Sequence, residues 1–165
     1  MAGTPLEIER TYLLSGLPPL PPGAARHELE QGYLPDGGEG ELEGRLRRQV
    51  GPGGEVRRFH TIKRGSGLVR EEVEREIDEA ELQREWPRTA GRRLRKVRWK
   101  VREGDHVWEV DQFPELDLVL AEVELERADE RPAFPAWLAP FVVRDVTEDP
   151  AYRNHSLATR GRPSA

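Results

Sequence analysis

Pairs of like-charged side chains recur two residues apart along this chain. Glu7 and Glu9 flank Ile8, Arg45 and Arg47 flank Leu46, and Glu72 and Glu74 flank Val73. Lys96 and Arg98 flank Val97, Glu109 and Asp111 flank Val110, and Glu122 and Glu124 flank Val123. On a β-strand, residues two apart share a face. Each of these segments therefore reads as a strand with one charged and one apolar face. For a single pair, the ordinary interpretation is a solvated outer face. Two features favour another: some strands carry mainly acids and others mainly bases, and the pattern repeats across nearly every strand. If the sheet closes on its charged face, acids and bases share one interior. Arginine and lysine hold phosphate oxygens through charge-assisted hydrogen bonds. Carboxylates do not hold phosphate directly, but they hold hard cations such as Mg²⁺ or Mn²⁺. Such a cation can bridge protein to phosphate and polarise a phosphoryl group or activate water. The chemistry implied is that of a metal–polyphosphate site.

The elements that must position these residues are short alternating runs. Strands are expected over 6–14, 27–34, 41–49, 56–64, 68–76, 92–102, 106–112 and 117–126. Turns are marked by Pro18 to Gly23, Pro35-Asp36-Gly37-Gly38, Gly51-Pro52-Gly53-Gly54, Gly65-Ser66-Gly67 and Glu103-Gly104-Asp105. One helix is signalled by Asp78 as N-cap with Glu81 as capping-box partner, running to Glu85 before Pro87. A second is expected over 151–159, capped by Asp149 with Pro150 at its first position, and ending at Gly161. These helices would cover part of the outward apolar face, while Phe134, Trp137, Leu138 and Phe141 would close one end of the core. The architecture is mainly β: an eight-stranded antiparallel closed barrel with flanking helices, in one domain over 1–165.

Composition agrees. Charged residues make up 35% of the 165, yet the net charge is only −5, which argues against a nucleic-acid partner. No segment is apolar enough to span a membrane. There is no cysteine, hence no thiolate metal site. His27, His60 and His106 lack ligand spacing, and no segment matches a phosphate-binding loop of the P-loop type. A cytoplasmic location is the default, and a homodimer is left open.

The ordered set of motifs resembles the CYTH family of triphosphate tunnel metalloenzymes. Glu7-Ile8-Glu9-Arg10 is similar to its ExExK opening. There follow Gln31-Gly32-Tyr33-Leu34, Arg45-Leu46-Arg47, Lys63, Gly67-Leu68-Val69-Arg70, Lys96 with Arg98, Glu109 with Asp111, Glu122-Val123-Glu124, and Tyr152-Arg153-Asn154. The resemblance runs from Leu6 to about Ala158. It implies that Arg45, Arg47, Lys63, Arg70, Lys96 and Arg98 bind triphosphate. It implies Mg²⁺ or Mn²⁺ on Glu7, Glu9, Glu109, Asp111, Glu122 and Glu124, with Glu72 and Glu74 supporting neighbouring bases. Tyr33, Arg45 and Glu9 would be catalytic, although Tyr33 taken alone reads equally as a wall aromatic. The implied activity is metal-dependent hydrolysis of inorganic triphosphate, as in the short bacterial members. The alternatives are a tunnel that binds a triphosphate or nucleotide without turnover, then an adenylate cyclase or a thiamine triphosphatase. Three departures stand out: Thr11 where the family has the ExExK lysine, Glu30 for an arginine, and His155 where a lysine is common.

Overall fold

In the computed structural model, residues 6–36, 43–64 and 68–164 are described. The expected turns at Gly37-Gly38 and Gly65-Ser66-Gly67, the Gly67 of the family pattern and the first two residues of the 41–49 strand lie outside them. Nine strands follow in order: β1 (Leu6–Leu14), β2 (Ala25–Tyr33), β3 (Arg45–Val50), β4 (Val56–Arg64), β5 (Val69–Glu76), β6 (Arg93–Glu103), β7 (His106–Phe113), β8 (Leu118–Glu124) and β9 (Val142–Asp145). They form one antiparallel sheet in the order β5-β4-β3-β2-β6-β7-β8-β1-β9, and β5 also pairs with β1. That last pairing closes β1 to β8 into an eight-stranded barrel.

β1 makes closure possible by dividing one of its edges. Leu6 to Ile8 pair with β5, and Tyr12 to Leu14 pair with β9, while Glu9 to Leu13 use the opposite edge for β8. Between the two halves, single contacts replace the ladder. Glu9 N–H donates to Leu68 O (3.2 Å), Thr11 N–H donates to Thr147 Oγ1 (3.0 Å), and Thr11 O accepts from Val146 N–H (2.8 Å). The backbone polar groups buried at this seam are thus satisfied. β9 was not expected, because Val142–Asp145 is too short to show a period.

The apolar residues fall into three clusters. Tyr12, Leu14, Trp108, Val110, Ala121 and Val123 face outward and are covered by Leu138, Trp137 and Phe141. Phe134 meets Tyr12 edge-on at 4.9 Å. The 134–141 segment therefore covers the barrel wall rather than closing an end, as the sequence had suggested, because the large outward side chains of β7 and β8 need that cover. A second outer cluster joins Leu34, Leu46 and Ile77 to Leu82 of α1 (Glu79–Glu85). Asp78 Oδ1 caps α1 by accepting from Glu81 N–H (2.8 Å), while the Glu81 carboxylate turns to Arg75 (2.7 Å). The chain then passes through a 3-10 turn, Trp86–Thr89, that contains Pro87.

The third cluster is inside. Leu94, Phe113, Leu118 and Leu120 continue the inward rows of β6, β7 and β8, and Val146, Tyr152 and Leu157 pack on them. The expected second helix is split. Asp149 accepts from Ala151 N–H (3.0 Å) and caps a 3-10 turn, Pro150–Tyr152, and Arg153 is then extended before α2 (Asn154–Arg160). The break lets Tyr152 and Leu157 enter the same inner cluster. So α2 fills one end of the barrel instead of covering its outside. The interior is consequently apolar beneath α2 and charged elsewhere.

Candidate active site

The charged part of the interior is a cavity of about 640 Å³. Glu7, Glu9, Tyr33, Arg45, Arg47, Lys63, Arg70, Glu72, Glu74, Lys96, Arg98, Glu109, Glu122 and Glu124 all line it. Strand parity therefore brought together every expected site residue except Asp111. That carboxylate lies on the inner face but behind the cavity wall, fully buried. Arg98 donates to it through Nε (2.7 Å) and Nη2 (2.8 Å), and Lys96 Nζ donates at 2.8 Å. Burial opposes its ionisation, but Arg98 and Lys96 outweigh that and hold its carboxyl well below the usual range. Asp111 thus bonds two cations at once, Lys96 and Arg98.

The other charges fall into distinct neighbourhoods. Lys63 of β4 pairs with Glu7 (3.1 Å), and Arg70 of β5 pairs with Glu9 (3.1 Å), both acids on β1. Lys63 Nζ donates to Glu7 Oε1 (3.3 Å), while the buried Oε2 takes the 3.1 Å ion pair without a hydrogen bond. Burial and a hydrogen bond with Glu7 push Glu72 up to about 7. Where β1 meets β8, Glu9 stands beside Glu124, and Thr11 beside Glu122. Burial, then Glu122 and Glu7, push Glu9 well above the ordinary carboxylate range. Burial, then Asp111, raise Glu122. These acids repel one another in a place where water cannot screen them.

The opposite wall has the reverse imbalance. Arg45 bonds to Thr61 Oγ1 (3.3 Å) and stands 3.7 Å from Glu74. Arg47 donates Nε to the neutral Gln31 Oε1 (2.8 Å), and no ion pair to it is found among the described residues. Burial, then the neighbouring Arg45 and Arg98, push Arg47 down to about 9. Lys96 is likewise held down to about 8 by burial and Arg98. One wall therefore holds surplus positive charge and the other surplus negative charge. An anion beside Arg47 and a cation beside Glu9 and Glu122 would each relieve an unfavourable arrangement.

Tyr33 ends β2 next to Arg45. Its hydroxyl receives a long hydrogen bond from Gln31 Nε2 (3.4 Å), and its ring meets His155 of α2 edge-on at 5.1 Å. Thr11 faces the cavity as its parity with Glu7 and Glu9 requires. Four other contributors were given no role by the sequence: Gln31, Thr61, Thr147 and Asn154, whose Oδ1 accepts from Lys96 (3.0 Å). Gln31 and Thr61 share parity with Tyr33 and Lys63 and could have been found by the same rule. Thr147 reaches the site from an irregular segment and Asn154 from the first residue of α2, where the strand period does not apply.

A cation would have to come from the carboxylate side. Among the described residues, no three carboxylate or imidazole groups converge into a ready-made cation site. The donors nevertheless suit a hard cation. Glu7 Oε2 is buried and accepts no hydrogen bond beyond its ion pair with Lys63, and Glu9, Glu122 and Glu124 are held above their usual range by burial and neighbouring carboxylates.

The inorganic triphosphatase of Nitrosomonas europaea is 38% identical to this chain over 157 residues, covering 92% of this chain and 96% of the relative. A crystal structure of an inorganic triphosphatase matches with a TM-score of 0.61 and 32% identity over 95% of this chain and 100% of that one. A second crystal structure, of a protein described as hypothetical, matches with a TM-score of 0.58 and 32% identity over 93% of this chain and 97% of that one. No protein-family model matches the chain.

Proposed function

Because the chain belongs to the CYTH-type triphosphate tunnel family of the inorganic triphosphatases, we propose that it hydrolyses the phosphoanhydride bond of inorganic triphosphate. The observation that carries this reading is Arg47, a guanidinium deep in the cavity whose bonded partner is a neutral amide. It faces a wall of carboxylates across the same space. Polyphosphate with a divalent cation is the chemistry that neutralises both walls at once.

In this reading Arg45, Arg47, Lys63, Arg70, Lys96 and Arg98 hold the phosphate chain. Glu7, Glu9, Glu109, Glu122 and Glu124 hold Mg²⁺ or Mn²⁺, and Asp111 orients two of the bases. The metal, when bound, supplies charge neutralisation and an activated water. The protein's own contribution is to fix the phosphates in line and to keep bulk water away. Phosphoryl transfer depends chiefly on that positioning and electrostatic stabilisation. Tyr33 lies at the α2 end of the row of bases, where it contacts the chain. A small triphosphate compound as the partner and a cytoplasmic location belong to the same reading, and they are supported by the cavity's charges and the absence of cysteine.

The test is phosphate release from tripolyphosphate, ATP and thiamine triphosphate, each with Mg²⁺, with Mn²⁺ and with chelator. Release should be fastest from tripolyphosphate and vanish with chelator. Tripolyphosphate turnover no faster than the protein-free control with either metal would refute the proposal.

A further inference from the structure

The charged cavity does not end at Tyr33. A second cavity of about 560 Å³ adjoins it, and the two share Leu34, Asp36 and His155. The remaining lining of the second is Gly91, Arg92, Thr159 and Arg160. We propose that Arg92, Arg160 and His155 form a further anion subsite, which takes the phosphate units of linear polyphosphates longer than triphosphate. This rests on the phosphohydrolase reading above and extends it to a substrate class.

Three observations support the subsite. The first is position. Arg92 has the parity of Leu94, Lys96 and Arg98, so it continues the inward row of β6 past the apolar patch. Its backbone is fixed: its carbonyl accepts from Tyr33 N–H (2.9 Å), and its own N–H donates to Thr89 O (2.9 Å). Arg160 closes α2, whose end is set by Gly161 at φ +76° and whose Leu157 is anchored in the inner cluster.

The second is charge. Arg92, Arg153 and Arg160 have no ion pair among the described residues, although Asp36 lies on the same cavity. The surplus positive charge thus persists beyond the barrel, as a chain carrying one charge per phosphate requires.

The third is room. Pockets of several hundred cubic ångströms hold drug-sized ligands, so the first cavity alone exceeds the needs of a triphosphate. Tyr33 and His155 pack edge to face on each other, which leaves no pair of parallel ring faces between which a nucleobase could sit. The groups left open to a ligand are the cations.

The experiment compares tripolyphosphate, ATP and a size-selected long-chain polyphosphate on the wild type, on the double variant Arg92→Ala/Arg160→Ala and on Arg92→Lys/Arg160→Lys. Steady-state kinetics with Mg²⁺ are paired with calorimetric binding to metal-free protein. Loss of two charge-assisted contacts should raise KM and Kd for the long chain about tenfold or more with kcat unchanged. The values for tripolyphosphate should stay put, and the lysine variant should recover most of the loss. Failure of the wild type to bind the long chain would overturn the proposal. So would equal shifts for tripolyphosphate and long chain, a loss confined to ATP, or no shift. If tripolyphosphate is bound but never hydrolysed, the proposed activity falls and the binding comparison still decides the subsite.

Discussion

The Lys96 ammonium and the Asp111 carboxylate meet at 2.8 Å, and neither side chain is more than 1% exposed. Arg98 closes on the same carboxylate from the other side. Removing one partner of a buried pair costs about 3–5 kcal/mol, because the other charge stays buried without compensation. Asp111→Asn should therefore lower unfolding stability by an amount in that range in urea titrations. Asp111 also counteracts the burial that pushes Lys96 down to about 8. Without it Lys96 drops further and loses its charge near neutrality, so KM for tripolyphosphate should rise more at pH 8 than at pH 6.5. If Asp111 served as a metal ligand instead, the variant would keep its stability and shift the metal dependence alone.

Arg47 makes the opposite prediction. Its ionised form is disfavoured by burial and by Arg45 and Arg98, so it adds no stability to the empty protein. Arg47→Gln should leave the unfolding temperature of the ligand-free protein unchanged or raised. Tripolyphosphate without metal should stabilise the wild type in thermal shift and stabilise the variant far less. Loss of a charge-assisted contact of about 1.5–3 kcal/mol corresponds to roughly a 10- to 100-fold weaker affinity. Equal stabilisation of both proteins by tripolyphosphate would contradict this account.

The carboxylate wall can be tested through the metal. Turnover should vanish with chelator and return with Mg²⁺ or Mn²⁺. Disturbing groups that merely support metal ligands costs about 10–100-fold, so Glu122→Gln, which removes a direct oxygen, should cost at least about 100-fold in kcat/KM. Glu122 also stands 3.5 Å from Arg98. The unfolding temperature must accordingly be checked to separate metal loss from a disturbed base. Retention of wild-type activity by Glu122→Gln would remove Glu122 from the metal set.

Much of this site was legible in strand parity. The rule that puts Glu7 with Glu9 and Lys96 with Arg98 holds across all eight barrel strands, because a closed barrel forces each strand to keep one face inward. Parity gives direction but not depth. Asp111 shares the face of Glu109, yet Lys96 and Arg98 bond to its carboxylate and cover it from the cavity, which parity alone does not show. Nor does parity reach segments without a period. The break at Arg153 and the placement of Asn154 beneath Lys96 follow from the packing of Tyr152 and Leu157 on Leu94, Phe113 and Leu120, and β9 from its pairing with Tyr12 to Leu14 of β1. Arg92 is not among the expected site residues, and its inward parity becomes meaningful once Leu94 is seen to face the barrel interior.

Glu72 contributes to the pH dependence of the metal-free protein. Its carboxyl is pushed from 4.5 to about 7 by burial and by the hydrogen bond with Glu7. Between those values the folded protein holds a proton that the unfolded chain has released. Stability must then fall as pH rises through that window and level off above about 7. Glu7, held below the ordinary range, acts in the other direction only at pH below 4.5, and His27, lowered by burial and Lys100, opposes the decline below 6.5. Glu9, Glu122 and Glu124 are raised like Glu72, so Glu72→Gln should flatten the decline rather than abolish it. Allowing for solvent screening of a partly exposed group, its share is about 1–2 kcal/mol, or about 2–8 °C in unfolding temperature for a chain of this size. Calorimetric scans from pH 5 to pH 8 in chelator, on wild type and variant, measure that share directly. Mg²⁺ at pH 8 should restore the wild type, since a cation beside Glu7 relieves the same repulsion. A wild-type stability that rises from pH 5 to pH 8 in chelator would show that the acids of this wall are not held above their usual range.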